Sequence, residues 1–109
     1  EKSSTSFAEF IPIAMDKDGK LSIYNILDVL GGLGICKVLI EGGAELLSSF
    51  NKSDLIDEIY IYKSNNKLKN ANLKNPLIIN DNWTVQEETV LGKDRLIVAT
   101  RKEECLQEL

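Results

Sequence analysis

Apolar side chains at Ile23, Ile26, Leu27, Leu30 and Leu33 recur at spacings of three and four, which places them on one face of a helix. Ser22 stands ahead of the run as an N-cap, with Leu21 and Ile26 positioned to clasp across it. Gly31, Gly32 and Gly34 then end the pattern, since glycine loses the most backbone entropy in a helix and readily adopts the left-handed cap conformation. The spacing therefore predicts a helix over residues 22 to 33. Ile35-Cys36-Lys37-Val38-Leu39-Ile40 is almost continuously apolar and rich in branched side chains, the pattern of a strand covered on both faces in a parallel sheet. It is the expected central strand. Glu41-Gly42-Gly43 follows, and from Ala44 to Phe50 the helical spacing returns at Leu46, Leu47 and Phe50.

The flanking segments are shorter. Residues 1 to 9 are Ser-rich and without period, and Phe10 to Ala14 reads as a short strand whose Pro12 confines it to a strand start or sheet edge. Asp16-Lys17-Asp18-Gly19 opens like a calcium loop, but Lys20 and Leu21 stand where further oxygen ligands belong, so a turn is expected. Ile59-Tyr60-Ile61-Tyr62 predicts a strand over residues 58 to 63. The Lys- and Asn-rich stretch from 63 to 76 has loop composition. Trp83 to Leu91 alternates imperfectly, Asp94 to Thr100 is a second strand-like run, and Gly92-Lys93 between them has hairpin length. Residues 101 to 109 read as a polar tail or a single helical turn.

Composition narrows the chemistry. The 109 residues suit one domain, with 43% apolar and 28% charged side chains. The absence of His excludes Ser-His-Asp and Cys-His nucleophiles and His-ligated metals, and no metal site is expected. A net charge of −4 argues against general capture of nucleic acid or of an anionic membrane surface. Cys36 and Cys105 lie far apart outside any C-x-x-C pattern and read as free thiols of a reducing compartment. No run approaches the ~18 apolar residues of a membrane span, and the first residues lack the apolar core of a signal peptide. The expected location is cytoplasmic.

One junction could carry chemistry. Glycines ahead of a helix let an anion approach its unpaired N–H groups without meeting a Cβ, and Gly42-Gly43 before Ala44 fits that description; such a pair can equally serve only to turn the chain sharply. Glu41 would stand at the carboxyl end of the expected central strand, where open α/β sheets place ligands, as a holder of substrate hydroxyls or as a solvated carboxylate at the turn. Glu45 in the first helical turn suits the helix dipole but would have to point away from a bound phosphate. Asp57-Glu58 read as a solvated turn, and Trp83, Tyr60 and Tyr62 as packing aromatics without a chemical role.

The string from Gly34 to Leu47, GICKVLIEGGAELL, followed by Phe50 and by Asp54-Leu55-Ile56-Asp57-Glu58-Ile59, closely resembles the C-terminal reductase domain of the bacterial bifunctional riboflavin-biosynthesis deaminase/reductase. The similarity runs from about residue 10 to residue 62, with a looser match through Gly92-Lys93-Asp94-Arg95-Leu96. The resemblance implies a dihydrofolate-reductase-like α/β fold, a mixed sheet with central parallel strands flanked by helices, of which this chain is the carboxyl-terminal portion. It implies NADPH-dependent reduction of the ribosyl group of 5-amino-6-(5-phosphoribosylamino)uracil, with a homodimer as the assembly. By position, Glu41 corresponds to the substrate-contacting acid, and Gly43, Ala44, Glu45, Leu46, Leu47, Ser48 and Ser49 to the segment running along NADPH. The zinc-deaminase signature and the earlier half of the reductase domain have no counterpart here, so the chain is expected to be incomplete. Lys63-Ser64-Asn65-Asn66 stand where the family usually has Pro and Gly after the strand at 58 to 63. The competing expectation is a non-catalytic nucleotide-binding or dimerisation module of the same fold.

Overall fold

The computed structural model describes residues 3–4, 7–71 and 74–102. Cys105 and the rest of the expected tail beyond Lys102 lie outside the described residues. Two compact units divide at Ile40 and Glu41.

In the first unit, β1 (Ser3–Ser4) pairs antiparallel with β2 (Glu9–Phe10). β2 stops short of Pro12, which has no N–H for a ladder. The Asp16 carboxylate accepts the N–H groups of Asp18 (2.8 Å) and Lys20 (3.0 Å), and Gly19 takes φ +75°. This is the expected turn, closed by the Met15–Leu21 bridge. Helix α1 (Ile23–Gly32) is capped by Ser22, whose hydroxyl accepts from the Asn25 N–H. Its other end closes with Gly34 at φ +82°, where the Gly34 N–H reaches the Gly31 carbonyl (2.9 Å) and the Ile35 N–H that of Leu30 (3.1 Å). Those paired bonds satisfy carbonyls that the helix leaves open.

Residues 35–40 correct one expectation. They form no strand, and Leu39 is 77% exposed, with Ile35 and Val38 also exposed. Residue preference alone does not make a strand; a ladder partner is required on at least one edge, and none pairs with this run among the described residues. The parallel core of the expected mixed sheet is correspondingly not observed, and every strand pairing described is antiparallel.

The second unit holds α2 (Ala44–Lys52) and a three-stranded antiparallel sheet of β3 (Glu58–Lys63), β4 (Trp83–Leu91) and β5 (Asp94–Arg101), with β5 in the middle. Gly92 at φ +64° opens the two-residue turn between β4 and β5, the position that favours glycine in such hairpins. Register shifts at Gln86, so Val85 opposes Ala99 but Glu87 opposes Val98. This bulge is the reason for the imperfect alternation of β4, because one extra residue exchanges the faces beyond it. Among the described residues, Phe50, Ile56, Ile59, Trp83, Val98 and Ala99 are the buried apolar ones.

Arg101 ends β5 rather than starting a tail. It sits opposite Trp83, with its guanidinium carbon 4.7 Å from the ring centroid, donates through Nε to the Ile56 carbonyl (2.9 Å), and pairs with Asp54 (3.4 Å). Its backbone N–H donates to the Asp57 carbonyl (3.0 Å). Asp54 occupies the left-handed position that follows α2, at φ +54°, where glycine is usual. Arg101 thus straps the segment that closes α2 onto the sheet. Its Nη2 is buried without a hydrogen-bond partner among the described residues, a cost the ring contact offsets in part.

Arg101→Met keeps the stem over Trp83 but strands the Ile56 carbonyl, and is expected to destabilise the fold by about 1–3 kcal/mol. Asp54→Asn, which loses only an exposed ion pair, is expected to cost less than about 1 kcal/mol. Urea unfolding followed by the fluorescence of Trp83, the single tryptophan, measures both; equal effects would contradict the strap.

Candidate functional site

α2 begins where an anion site would require it. Gly43 is its N-cap, with extended geometry (φ −68°, ψ −178°) and no side-chain hydrogen bond to the first turn. The Leu47 N–H is the one that reaches back to the Gly43 carbonyl (3.1 Å). The amides of Ala44, Glu45 and Leu46 precede it, at the positive end of the helix dipole. A Cβ built on Gly43 meets no heavy atom within 4 Å. Its φ is one that any residue adopts, so neither strain nor crowding inside the unit requires glycine here. What the position offers is open space beside the first turn. A diphosphate fits such a place, since bare backbone there admits an anion to N–H groups that have no side-chain cap.

The structure brings the candidate residues together in one element. Gly43, Ala44, Glu45, Leu46, Leu47, Ser48 and Ser49 are the cap and first turns of α2, and Glu41 lies two residues before the cap with its side chain exposed. Glu45 and Leu46 are exposed, whereas Ala44, Leu47, Ser48 and Ser49 are half-buried. The Ser49 hydroxyl donates to the Glu45 carbonyl (3.0 Å), one turn back. Glu41 does not follow a strand, so its place at a strand end is not observed; it precedes the helix in a connection that is neither helix nor strand.

Other features involve none of these residues. An open depression of about 570 Å³ is lined by Thr84, Gln86, Thr100, Arg101 and Lys102, none of them a candidate residue. The Gln86 amide there donates to the Thr100 hydroxyl (2.9 Å). Sequence reasoning passed over Arg101 and Gln86; the broken alternation of β4 was the one available signal, and it pointed to the bulge. Cys36 is an exposed free thiol. No cluster of metal-ligating side chains occurs among the described residues, and no helix there is long and apolar enough to cross a membrane.

On β3, Tyr60 and Glu58 share a face, and the Tyr60 hydroxyl donates to the Glu58 carboxylate. That hydrogen bond, and then the carboxylate's charge, hold the Tyr60 phenol above its ordinary pKa of 10.0, because both favour the protonated form.

A sequence profile of the RibD C-terminal domain family matches residues 1–64. The match takes in α1, the Glu41-Gly42-Gly43 connection, α2 and β3, more than half of the 109 residues, and the chain belongs to that family. It is a family of oxidoreductase-type domains of riboflavin biosynthesis that typically use a nucleotide cofactor. No curated protein and no solved structure matches the chain.

Because Tyr60 is raised in the folded state, its share of stability is present below the unfolded pKa and is lost as pH rises through the folded one. Glu58→Gln is expected to bring the Tyr60 titration back toward the ordinary phenol value, read from tyrosinate absorbance with Tyr24 and Tyr62 replaced by Phe. An unchanged titration would show that the Glu58 contact does not persist in solution.

Proposed function

We propose that the chain serves an NADPH-dependent reductase of riboflavin biosynthesis, of dihydrofolate-reductase-like architecture. Its reaction converts the ribosyl group of 5-amino-6-(5-phosphoribosylamino)uracil to the ribitylamino product. One observation carries the reading: the family match over residues 1–64 contains the whole Glu41-to-α2 junction. The uncapped first turn and the open space beside Gly43 support it.

In this reading Gly43 to Ser49 run along NADPH, with the diphosphate held by first-turn amides. When bound, NADPH supplies the hydride; residues of this chain supply placement and charge. The Glu41 carboxylate accepts hydrogen bonds from substrate hydroxyls, a charge-assisted contact worth about 1.5–3 kcal/mol. The exposed Glu45 side chain has to lie away from the phosphates, as equal charges require. The exposed thiol of Cys36 suits a reducing, cytoplasmic compartment. The exposed Val38 and Leu39 suit coverage by a second copy, and a homodimer belongs to the proposal.

Gly43→Asp tests it. A Cβ at this position meets no heavy atom within 4 Å and the backbone there suits any residue, so the circular dichroism spectrum should not change, while a negative charge at the cap should weaken NADPH binding by roughly ten- to a hundredfold in calorimetry. Equal NADPH affinity in both proteins would contradict the reading. Binding that depends on Gly43, with no turnover of the aminouracil, would select a nucleotide-binding module without catalysis.

A further inference from the structure

We propose that the loop following β3, with Tyr62 beside it, binds single-stranded nucleic acid: its lysines hold phosphates and the phenol ring stacks on a base. Residues 63–76 contain four lysines and five asparagines but no acid, in a chain of 13 cations and 17 acids. The net charge of −4 disfavours capture by the molecule as a whole, and this loop is the local exception. Lys63, Lys67, Lys69 and Lys74 are exposed, and no ion pair takes up their ammonium groups among the described residues. The fold adds to that charge at one end of the sheet. Lys63 ends β3 opposite Arg95, and the Asn65 N–H donates to the Asp94 carboxylate (3.3 Å), which draws the start of the loop to the β4–β5 turn and its Lys93. Glu88 neutralises Arg95 (3.0 Å), so the free cations there are lysines. An ammonium is a point charge with rotatable donors, suited to following a phosphate backbone without reading its sequence.

Charge alone would fit any polyanion, and the aromatic side chain decides among them. Tyr60 and Tyr62 lie on one face of β3 and are 55% and 68% exposed, although aromatics in strands ordinarily pack. The Tyr60 hydroxyl is taken up by Glu58, toward the end of β3 away from the loop. Tyr62 stands next to Lys63 and across from Leu96, so its ring meets solvent where the free cations begin. A run of carboxylates offers that ring nothing to stack on, whereas every base of an unpaired strand does. A duplex keeps its base faces within its own stack.

The test is fluorescence anisotropy of the full chain with a labelled oligouridylate of about twelve nucleotides. With three or four phosphates neutralised, log affinity should fall against log salt with a slope of about −2 to −3, a loss of about 15- to 60-fold between about 50 and 200 mM. Lys67→Gln with Lys69→Gln should weaken binding about tenfold and lower the slope by about 1.4. Lys17→Gln with Lys37→Gln removes equal charge from the other unit and should change affinity less than about twofold. Tyr62→Leu should weaken binding about fivefold at unchanged slope. The stacking claim has a second readout that needs no altered protein: a duplex of the same length should bind at least about fivefold more weakly, although its denser charge alone would favour it. Oligodeoxythymidylate in place of oligouridylate tells which sugar the site prefers, and binding of either strand supports the proposal. Absence of binding by the unaltered chain, equal weakening by the two lysine pairs, or a duplex held as tightly as the single strand would each overturn it. Polyglutamate that displaces the strand as well as unlabelled oligouridylate does would also overturn it, and would mark the loop as a surface for an acidic protein.

Discussion

β5 holds the second unit together, since among the described residues it is the strand paired along both edges. Its last residue extends that hold beyond the sheet. Arg101 reaches Asp54, Ile56 and Asp57 through side chain and backbone, and these residues follow directly on the end of α2. The left-handed Asp54 is tolerated there because the chain must turn, and the strap keeps the turn in one place. The carboxyl end of α2 is thereby held in place. A helix tied to the sheet at its carboxyl end is a suitable carrier for a site that depends on backbone direction.

That site needs little side-chain chemistry, which agrees with a chain that has no His. A helix terminus contributes about 0.3–1 kcal/mol toward an exposed anion, and up to ~2 in partly buried geometry. Such a term orients a diphosphate but does not by itself give tight binding, so the remainder must come from contacts along the rest of the cofactor. The carboxylates of Glu41 and Glu45 close by oppose a bare anion. In the proposed reaction the Glu41 carboxylate would have a use, because a carboxylate accepts from hydroxyl groups, of which a ribosyl substrate has several.

Local patterns in the sequence were enough for both helices, for β3 and for the β4–β5 hairpin, because capping serine, terminating glycine, apolar spacing and turn chemistry agree at each of them. The candidate junction was legible for the same reason: two glycines ahead of a helical period describe an open helix start. Residues 35–40 show the opposite case. Their apolar, branched composition is that of a buried strand, yet pairing is a property of distant partners that composition does not supply. Arg101 was hidden because its partners lie some forty-five residues earlier in the chain, as the bond to Ile56 shows. The bulge at Gln86 left only a trace, a missed beat in the alternation of β4.

The most direct test of this reading is a crystal structure of the chain with NADPH bound. The account predicts the diphosphate against the amides of Gly43 to Leu46, with the rest of the cofactor along α2 toward Ser49. A diphosphate seated elsewhere, with the turn from Glu41 to Ala44 in contact with solvent alone, would contradict it.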